Sequence, residues 1–255
     1  MSEFLIAISI LPVVLINNYI YNKDKEKEPK KLLKKLTIGG VLSCFAVLII
    51  SAFLPLISPI FGVEDTSTLN NFELAINVFI GVALVEEFCK FIFVYWFSYN
   101  QKEFDYIYDM IVYAVYVSLG FALFENILYV ITGGLTTGLV RAFTAVPMHA
   151  SMGVLMGHFL GEAKYNELNN KSGLSYKLLA LFVPTLVHGA YDYSAFQGSW
   201  ALLIMVLVVF VITAVVIVNH KCKNDVKIQR KNAYCTICGT KAIGNYCTKC
   251  GSKIE

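Results

Sequence analysis

The sequence is poor in charged residues. Asp, Glu, Lys and Arg make up 15% of its 255 residues, whereas hydrophobic residues make up 57% and the mean hydropathy is +0.63. A soluble domain carries about 25% charged residues, so this scarcity excludes an ordinary water-soluble globular protein. The composition predicts instead an all-α integral membrane protein that lies in a lipid bilayer.

The sequence also lacks several recognisable patterns. It contains neither a G-x-S-x-G nor an H-E-x-x-H motif, which excludes a serine hydrolase with a nucleophile elbow and an ordinary zincin. The chain begins MSEF, without the basic start or the small-residue cleavage site of a signal peptide, so the first apolar segment is expected to stay in the mature protein.

Long apolar segments account for most of the chain. A transmembrane helix needs about 20 mostly apolar residues. By that rule the sequence predicts about seven transmembrane helices, at residues 4–21, 36–60, 72–98, 106–132, 142–161, 176–197 and 200–218.

Lysine and arginine are distributed unevenly over the loops between these segments. Residues 22–35 hold seven lysines, whereas residues 61–71 hold none. Because short cytoplasmic loops are enriched in Lys and Arg, the alternation predicts a multi-pass cell-membrane protein with its N-terminus outside and its C-terminus in the cytoplasm. The net charge of +3 then reflects topology and indicates no nucleic-acid partner.

Four of the seven cysteines form two C-x-x-C pairs near the C-terminus, at Cys235, Cys238, Cys247 and Cys250. A glycine follows each pair, and this spacing is typical of small zinc ribbons. Two disulfides are the alternative, but a cytoplasmic location disfavours them because thiols there are kept reduced. The remaining cysteines have no evident partner and are predicted to be inert: Cys44, Cys89 and Cys222.

These features predict three parts of the chain. Residues 1–219 are expected to form the membrane domain, residues 220–233 a linker and residues 234–255 a ribbon that folds around a structural zinc ion. A module of this size is expected to dock or regulate, through a cytoplasmic protein partner, and to leave chemistry to the membrane domain.

Two adjacent carboxylates lie in the third predicted span, within VEEFCK. Ionisable groups at membrane depth are costly, so each is a candidate functional residue. Glu86 and Glu87 precede Lys90 by four and three residues, so both can reach its ammonium group. An ion pair that only fixes helix packing needs one Glu and one Lys, and the excess carboxylate favours a general acid or base.

The next three spans supply possible partners for these carboxylates. FALFEN contains Glu125 and Asn126, and PMHASMGVLMGH contains His149. HGAYD contains His188 and Asp192 four residues apart, so the carboxylate can orient the imidazole. With a rise of about 1.5 Å per residue, the carboxylates and both imidazoles are expected between the midplane and the outer leaflet.

Two further histidines are predicted to be bystanders. His158 is expected near the inner end of the fifth span, and His220 lies in the tail. The repeat of Gly153, Gly157 and Gly161 in that span predicts a face on which another helix approaches closely.

Together, VEEFCK, FALFEN, PMHASMGVLMGH and HGAYD resemble the motifs of the PrsW family of bacterial intramembrane proteases, relatives of the group that includes the CAAX-processing endopeptidases. The match covers roughly residues 70–197. It implies catalytic roles for five residues and supporting roles for three: Glu86, Glu87, Glu125, His149 and His188, and then Lys90, Asn126 and Asp192. The ribbon is not part of the family's shared core.

The resemblance implies an endopeptidase that cuts a membrane protein substrate near the outer side of the membrane, such as an anti-sigma-factor-like regulator. One of the paired glutamates would activate a water molecule. His149 and His188 would either polarise that water and stabilise the oxyanion or ligate a catalytic zinc ion; the residues leave both alternatives open.

Two other functions would also place charged residues in the membrane. A proton- or metal-coupled transporter would need buried Glu, His and Asp, but such proteins often show an internal repeat, and none relates the two halves of this sequence. A non-catalytic membrane anchor for the ribbon would leave the buried carboxylates unexplained.

Overall fold

The computed structural model describes residues 2–63, 66–228, 235–240, 247 and 249–252. Within these ranges the secondary structure is helical except for one isolated bridge between Tyr106 and Lys227. The all-α prediction is therefore confirmed. Three helical stretches are long and apolar enough to cross a membrane: Lys30–Leu56, Ile107–Leu168 and Trp200–Lys223.

Eight α-helices follow one another along the described chain, and each predicted span overlaps helical structure. A π-helix at Asn77–Leu84 joins the third and fourth into one helical run. The helices are α1 (Ser2–Lys23), α2 (Lys30–Phe53), α3 (Asn71–Ile76), α4 (Val85–Ser98), α5 (Ile107–Phe143), α6 (Ala145–Leu168), α7 (Leu174–Phe196) and α8 (Trp200–Lys223).

Two predicted boundaries differ from the structure. The second span was expected to reach residue 60, but α2 ends at Phe53 and short 3₁₀ turns follow, because Pro55 and Pro59 have no N–H to continue a helix. Residues 133–141 were expected to form a loop. They are helical around a single break at Gly134, whose φ of 73° suits glycine.

The first half of α5 lies at the centre of the packed helices. Its side chains from Tyr108 to Val115 are at most 1% exposed, and the helix packs against α1, α2, α4 and α6. A helix that is apolar on all sides is expected to be surrounded in this way. The central position of α5 lets it present polar residues at either end to its neighbours.

The glycine face of α6 lies directly on α5, as its spacing predicts. A Cβ atom added to Gly157 would lie 2.4 Å from the carbonyl oxygen of Met110, and one added to Gly153 would lie 2.9 Å from Cα of Val115. This close approach places His149 against α5, where the Ser118 hydroxyl donates to its carbonyl oxygen at 2.6 Å.

The chain after α8 returns to the beginning of α5. The amide of Ile107 donates to the carbonyl of Val226 at 3.1 Å, and the amide of Tyr108 donates to Asp225 Oδ1 at 3.1 Å. Part of the predicted linker is therefore helical or bound to the membrane domain. The rest of the linker and ribbon, residues 229–234, 241–246, 248 and 253–255, lies outside the described residues.

Candidate active site

The paired carboxylates lie in the first turn of α4, directly after the π-helix. Glu87 and Lys90 are 0% exposed and Glu86 is 7% exposed. Segments of π-helix occur frequently at functional sites. This one changes the helical phase immediately before the two glutamates, so it sets which way they point.

Lys90 contacts three functional groups. Its Nζ lies 2.8 Å from Glu87 Oε1 and 3.4 Å from Glu86 Oε2, as the spacing predicts, and also 3.1 Å from His149 Nδ1. It lies 4.0 Å from the centroid of the Phe121 ring, a cation–π distance. One ammonium group thus connects α4 with α6.

The contact with Lys90 also determines the hydrogen bonds of His149. An ammonium group can only donate, so Nδ1 of His149 accepts from Lys90. The proton of the neutral ring is then on Nε2, which donates to Glu125 Oε2 at 2.9 Å. His149 therefore links the α4 carboxylates to the carboxylate on α5.

His188 on α7 lies among three carboxylates. Its Nδ1 donates to Glu87 Oε1 at 2.9 Å, while Nε2 lies 3.3 Å from Asp192 Oδ2 and 3.7 Å from Glu86 Oε2. Asp192 is thus in place to orient the ring. The ring centroids of His149 and His188 are 5.4 Å apart, in an edge-to-face arrangement.

Arg141 is the main participant that the sequence reasoning missed. Its Nη2 donates to Glu125 Oε2 and its Nε to Asn126 Oδ1, both at 2.8 Å, and its guanidinium carbon lies 3.9 Å from the centroid of the Tyr129 ring. The predicted spans 106–132 and 142–161 leave Arg141 as the last residue of a loop. The pair Gly133–Gly134 was the sequence signal for this contact, because the backbone break at Gly134 turns the chain back towards Glu125.

All eight predicted catalytic and supporting residues belong to one network drawn from α4, α5, α6 and α7. His158 lies outside it: its ring packs on Phe159, and its Nδ1 has no hydrogen-bond partner among the described residues. His220 is near the end of α8, where it contacts Asn224.

Two polar atoms of this network have no partner among the described residues. They are Oε2 of Glu87, an acceptor, and Nδ2 of Asn126, a donor. Buried polar atoms in native proteins almost always have a hydrogen-bond partner. An unpaired acceptor and an unpaired donor in one polar network are what a water molecule and a peptide carbonyl would need.

The network also contains a set of metal-ligand types. Glu86, Glu125 and His149 each offer one ligand atom, and these three atoms lie within 4.8 Å of one another. One imidazole nitrogen and two carboxylate oxygens are ordinary ligands of catalytic zinc. The donor set therefore fits a metal ion.

The C-terminal cysteines come together as their spacing predicts. Cys235 Sγ lies 3.4 Å from Cys250 Sγ, and Cys238 Sγ lies 3.4 Å from Cys247 Sγ. A disulfide would require about 2.05 Å, and all seven cysteines are free. The four sulfur atoms lie within 4.8 Å of one another and form a candidate metal site.

Comparison with known proteins identifies relatives of the chain. A family model described as "PrsW family intramembrane metalloprotease" matches residues 28–218. The protein named Protease PrsW from Oceanobacillus iheyensis is 36% identical over 189 residues, which cover 74% of this chain and 81% of the relative. No solved structure matches the chain significantly.

Two further relatives carry the same name. Protease PrsW from Geobacillus kaustophilus is 37% identical over 191 residues, covering 74% of this chain and 78% of the relative. The Bacillus subtilis protein is 33% identical over 190 residues, covering 74% and 81%. The family model includes the whole Glu–His network and ends before the ribbon cysteines.

Proposed function

The chain belongs to the PrsW family of intramembrane metalloproteases, and from this premise we propose that the network of Glu86, Glu87, Glu125, His149 and His188 is the active site of this intramembrane protease. Its substrate is a membrane protein, and its reaction is hydrolysis of a peptide bond. Lys90, Asn126, Asp192 and Arg141 support these residues.

The observation that carries the proposal is the unequal environment of the two adjacent carboxylates. Glu87 Oε1 is held by Lys90 at 2.8 Å and by His188 at 2.9 Å. Glu86 has no ion-pair contact shorter than 3.4 Å among the described residues. Glu87 balances the buried cation, and Glu86 is the carboxylate that remains available for proton transfer.

In this proposal Glu86 takes a proton from a water molecule while the water oxygen attacks the peptide carbonyl carbon. The same proton passes to the leaving amine nitrogen as the C–N bond breaks. The unpaired amide of Asn126 donates to the carbonyl oxygen, where negative charge develops, and Arg141 holds that amide in place.

A metal ion of the kind that the family's description implies, which we propose to be zinc, would be held by Glu86, Glu125 and His149, and it would supply Lewis-acid polarisation of a water molecule. In that arrangement Glu87, whose Oε2 is unpaired, is the carboxylate that accepts the proton. The two arrangements differ in which glutamate is essential for proton transfer.

The membrane arrangement proposed with this function is about seven spans, with the N-terminus outside and the C-terminus in the cytoplasm of a multi-pass cell-membrane protein. The overlap of every predicted apolar segment with a helix and the lysine-rich residues 22–35 support it. In this orientation the active site faces the outer half of the bilayer. An anti-sigma-factor-like regulator as the substrate rests on the family resemblance alone.

The ribbon is proposed to hold a structural zinc ion through its four cysteines and to bind a cytoplasmic protein partner. The facing thiols support the zinc ion. The partner is proposed from the position of the ribbon after the last predicted span.

The test is turnover by the purified full-length protein in proteoliposomes, with a single-span membrane protein that the parent cleaves. Glu86→Gln and Glu87→Gln are compared with and without a strong chelator, and His158→Ala is the matched control outside the network. We expect Glu86→Gln to lose turnover by a factor of roughly 100 or more while expression and thermal stability stay near those of the parent.

The chelator separates the two arrangements. Activity that persists in chelator and depends on Glu86 supports the arrangement without a metal. Activity that chelator abolishes and zinc restores assigns proton transfer to Glu87. If both Gln variants are folded and fully active, the proposed active site is wrong.

A further inference from the structure

A second cluster of carboxylates lies at the beginning of α5. Asp24 and Glu28 belong to the short segment between α1 and α2, and Asp109 lies in the first turn of α5. They are 5%, 5% and 1% exposed, and one carboxylate oxygen from each lies within 4.8 Å of those from the other two. Three carboxylates are thus buried together.

The hydrogen bonds at this cluster leave two oxygen atoms unused. Asp109 Oδ2 accepts from the amides of Asp105 and Tyr106, and Glu28 Oε2 accepts from the Tyr113 hydroxyl at 2.6 Å. Oδ1 of Asp109 and Oδ2 of Asp24 are buried and have no partner among the described residues. An unpaired buried acceptor is satisfied by a bound cation or by a hydrogen-bond donor.

Among the residues that the structure describes, none of the three carboxylates forms an ion pair within 4.0 Å. Lys27, which belongs to the same segment, donates to the main-chain carbonyls of Tyr21 and Asp24, each at 2.6 Å. Buried charges normally occur paired or bound to a metal ion.

The arrangement suits a hard cation with oxygen ligands. Ca²⁺ binds carboxylate oxygens at about 2.3–2.6 Å, so two ligands on opposite sides of the ion lie about 5 Å apart. Oxygen atoms within 4.8 Å of one another can therefore share a single ion. Mg²⁺ has shorter bonds and would need a smaller separation, with water molecules completing its shell.

We propose that Asp24, Glu28 and Asp109 form a binding site for a hard divalent cation, Ca²⁺ or Mg²⁺, which fastens the α1–α2 segment to the beginning of α5. The site is separate from the proposed active site, because Asp109 and Glu125 lie 16 residues apart on α5 (residues 109 and 125), or about 24 Å at 1.5 Å per residue.

The position of the ion suggests what it stabilises. The same turn of α5 receives the segment after α8, through Tyr108 and Ile107. A bound cation would hold together three parts of the chain: the α1–α2 segment, the start of α5 and the segment that leads to the ribbon.

The first test is thermal unfolding of the full-length protein in detergent after chelator treatment, with CaCl₂ or MgCl₂ added and ionic strength held constant with NaCl. At a cation concentration about 100-fold above Kd, we expect the melting temperature to rise by roughly 5 °C. Asp109→Asn should abolish the rise. Its remaining amide oxygen can still accept from the amides of Asp105 and Tyr106, so the cap of α5 is kept.

The matched control is Glu26→Gln, which removes an exposed carboxylate from the same segment. Glu26→Gln should respond to the cation as the parent does. A response to Ca²⁺ alone identifies the larger ion, and a response to both indicates a site with no selectivity. If neither cation shifts the melting temperature, or if Asp109→Asn responds like the parent, the proposal is overturned.

A second measurement covers the case in which Asp109→Asn fails to fold. Tb³⁺ takes the same oxygen ligands, and Tyr113, hydrogen-bonded to Glu28, can sensitise its luminescence. We expect tyrosine-excited Tb³⁺ emission, and Ca²⁺ or Mg²⁺ should reduce it by displacing the bound Tb³⁺. The emission should persist in Glu125→Gln and disappear in Asp24→Asn. Emission that is unchanged in Asp24→Asn would contradict the site.

Discussion

The beginning and the middle of α5 bury carboxylates in opposite ways. Around Glu125 the acidic groups have cationic partners within the protein: Arg141 pairs with Glu125, and Lys90 pairs with the glutamates of α4. Around Asp109 the partners are main-chain amides and a tyrosine hydroxyl. The first cluster contains cations of the chain, and the second has none within ion-pair distance among the described residues.

The consequence is visible in the residues of the α1–α2 segment. Burial, which outweighs the attraction of Lys27, raises the pKa of Asp24 to about 6. Burial and the neighbouring Asp24 raise the pKa of Glu28 to about 7, against the hydrogen bond from Tyr113. Burial alone therefore does not identify a catalytic acid, because the role of a buried carboxylate also depends on whether the chain or the solution supplies the opposite charge.

The largest effect is expected from removing Lys90, a cation of the cluster around Glu125. Lys90→Met leaves two adjacent carboxylates without their ammonium partner, and loss of one partner of a buried pair costs about 3–5 kcal/mol of unfolding free energy. We expect a marked fall in the melting temperature in detergent. Adding Glu87→Gln to Lys90→Met should recover part of the loss, because one of the stranded charges is then gone.

A matched control for Lys90 is Lys177, which pairs with Glu167 at 2.6 Å but is partly exposed. Surface pairs contribute about 0–1 kcal/mol, so Lys177→Met should change the melting temperature little. Equal effects of the two substitutions would mean that the Lys90 cluster is no more than an ordinary ion pair.

A smaller effect, on turnover, is expected at Arg141. Arg141→Lys keeps the charge but loses the planar group that contacts Glu125 and Asn126 together. We expect turnover to fall roughly 10- to 100-fold, as for a misplaced catalytic group, with kcat affected more than KM. Wild-type kcat in Arg141→Lys would show that the geometry around Asn126 does not matter for the reaction.

The smallest effect on the membrane clusters is expected from the ribbon. Cys235→Ser with Cys238→Ser removes two of the four thiolates that would hold zinc. Elemental analysis of the full-length protein should show the loss of one zinc per chain, while proteolysis stays at the parental rate. A folded variant without activity would contradict an accessory role for the ribbon.

Contacts within one helix were predictable from the sequence. The spacings of Glu86 and Glu87 from Lys90, and of Asp192 from His188, bring the side chains onto one helical face. The spacing of the cysteine pairs likewise predicted that their sulfur atoms converge, because each C-x-x-C-G turn is local.

Contacts between helices were not predictable to the same degree. The sequence indicated that several spans carry acids and imidazoles, but not that Lys90 contacts His149 or that Arg141 returns to Glu125. The second contact depends on a single backbone break at Gly134. The direction in which Glu86 and Glu87 point depends on the π-helix before them. The spacing of apolar residues in the sequence does not predict that direction.

The sequence by itself determined the class of the protein, its motifs and its local charge pairs, since composition and helical periodicity act over a few residues. Only the tertiary structure decided which carboxylates lie beside a cation of the chain. Asp24 and Asp109 are 85 positions apart in the chain (109 minus 24), and their meeting depends on how α1, α2 and α5 pack. The physical reason is that the electrostatic energy of a buried charge depends on neighbours within a few ångströms in space, and helix packing supplies those neighbours from distant parts of the chain.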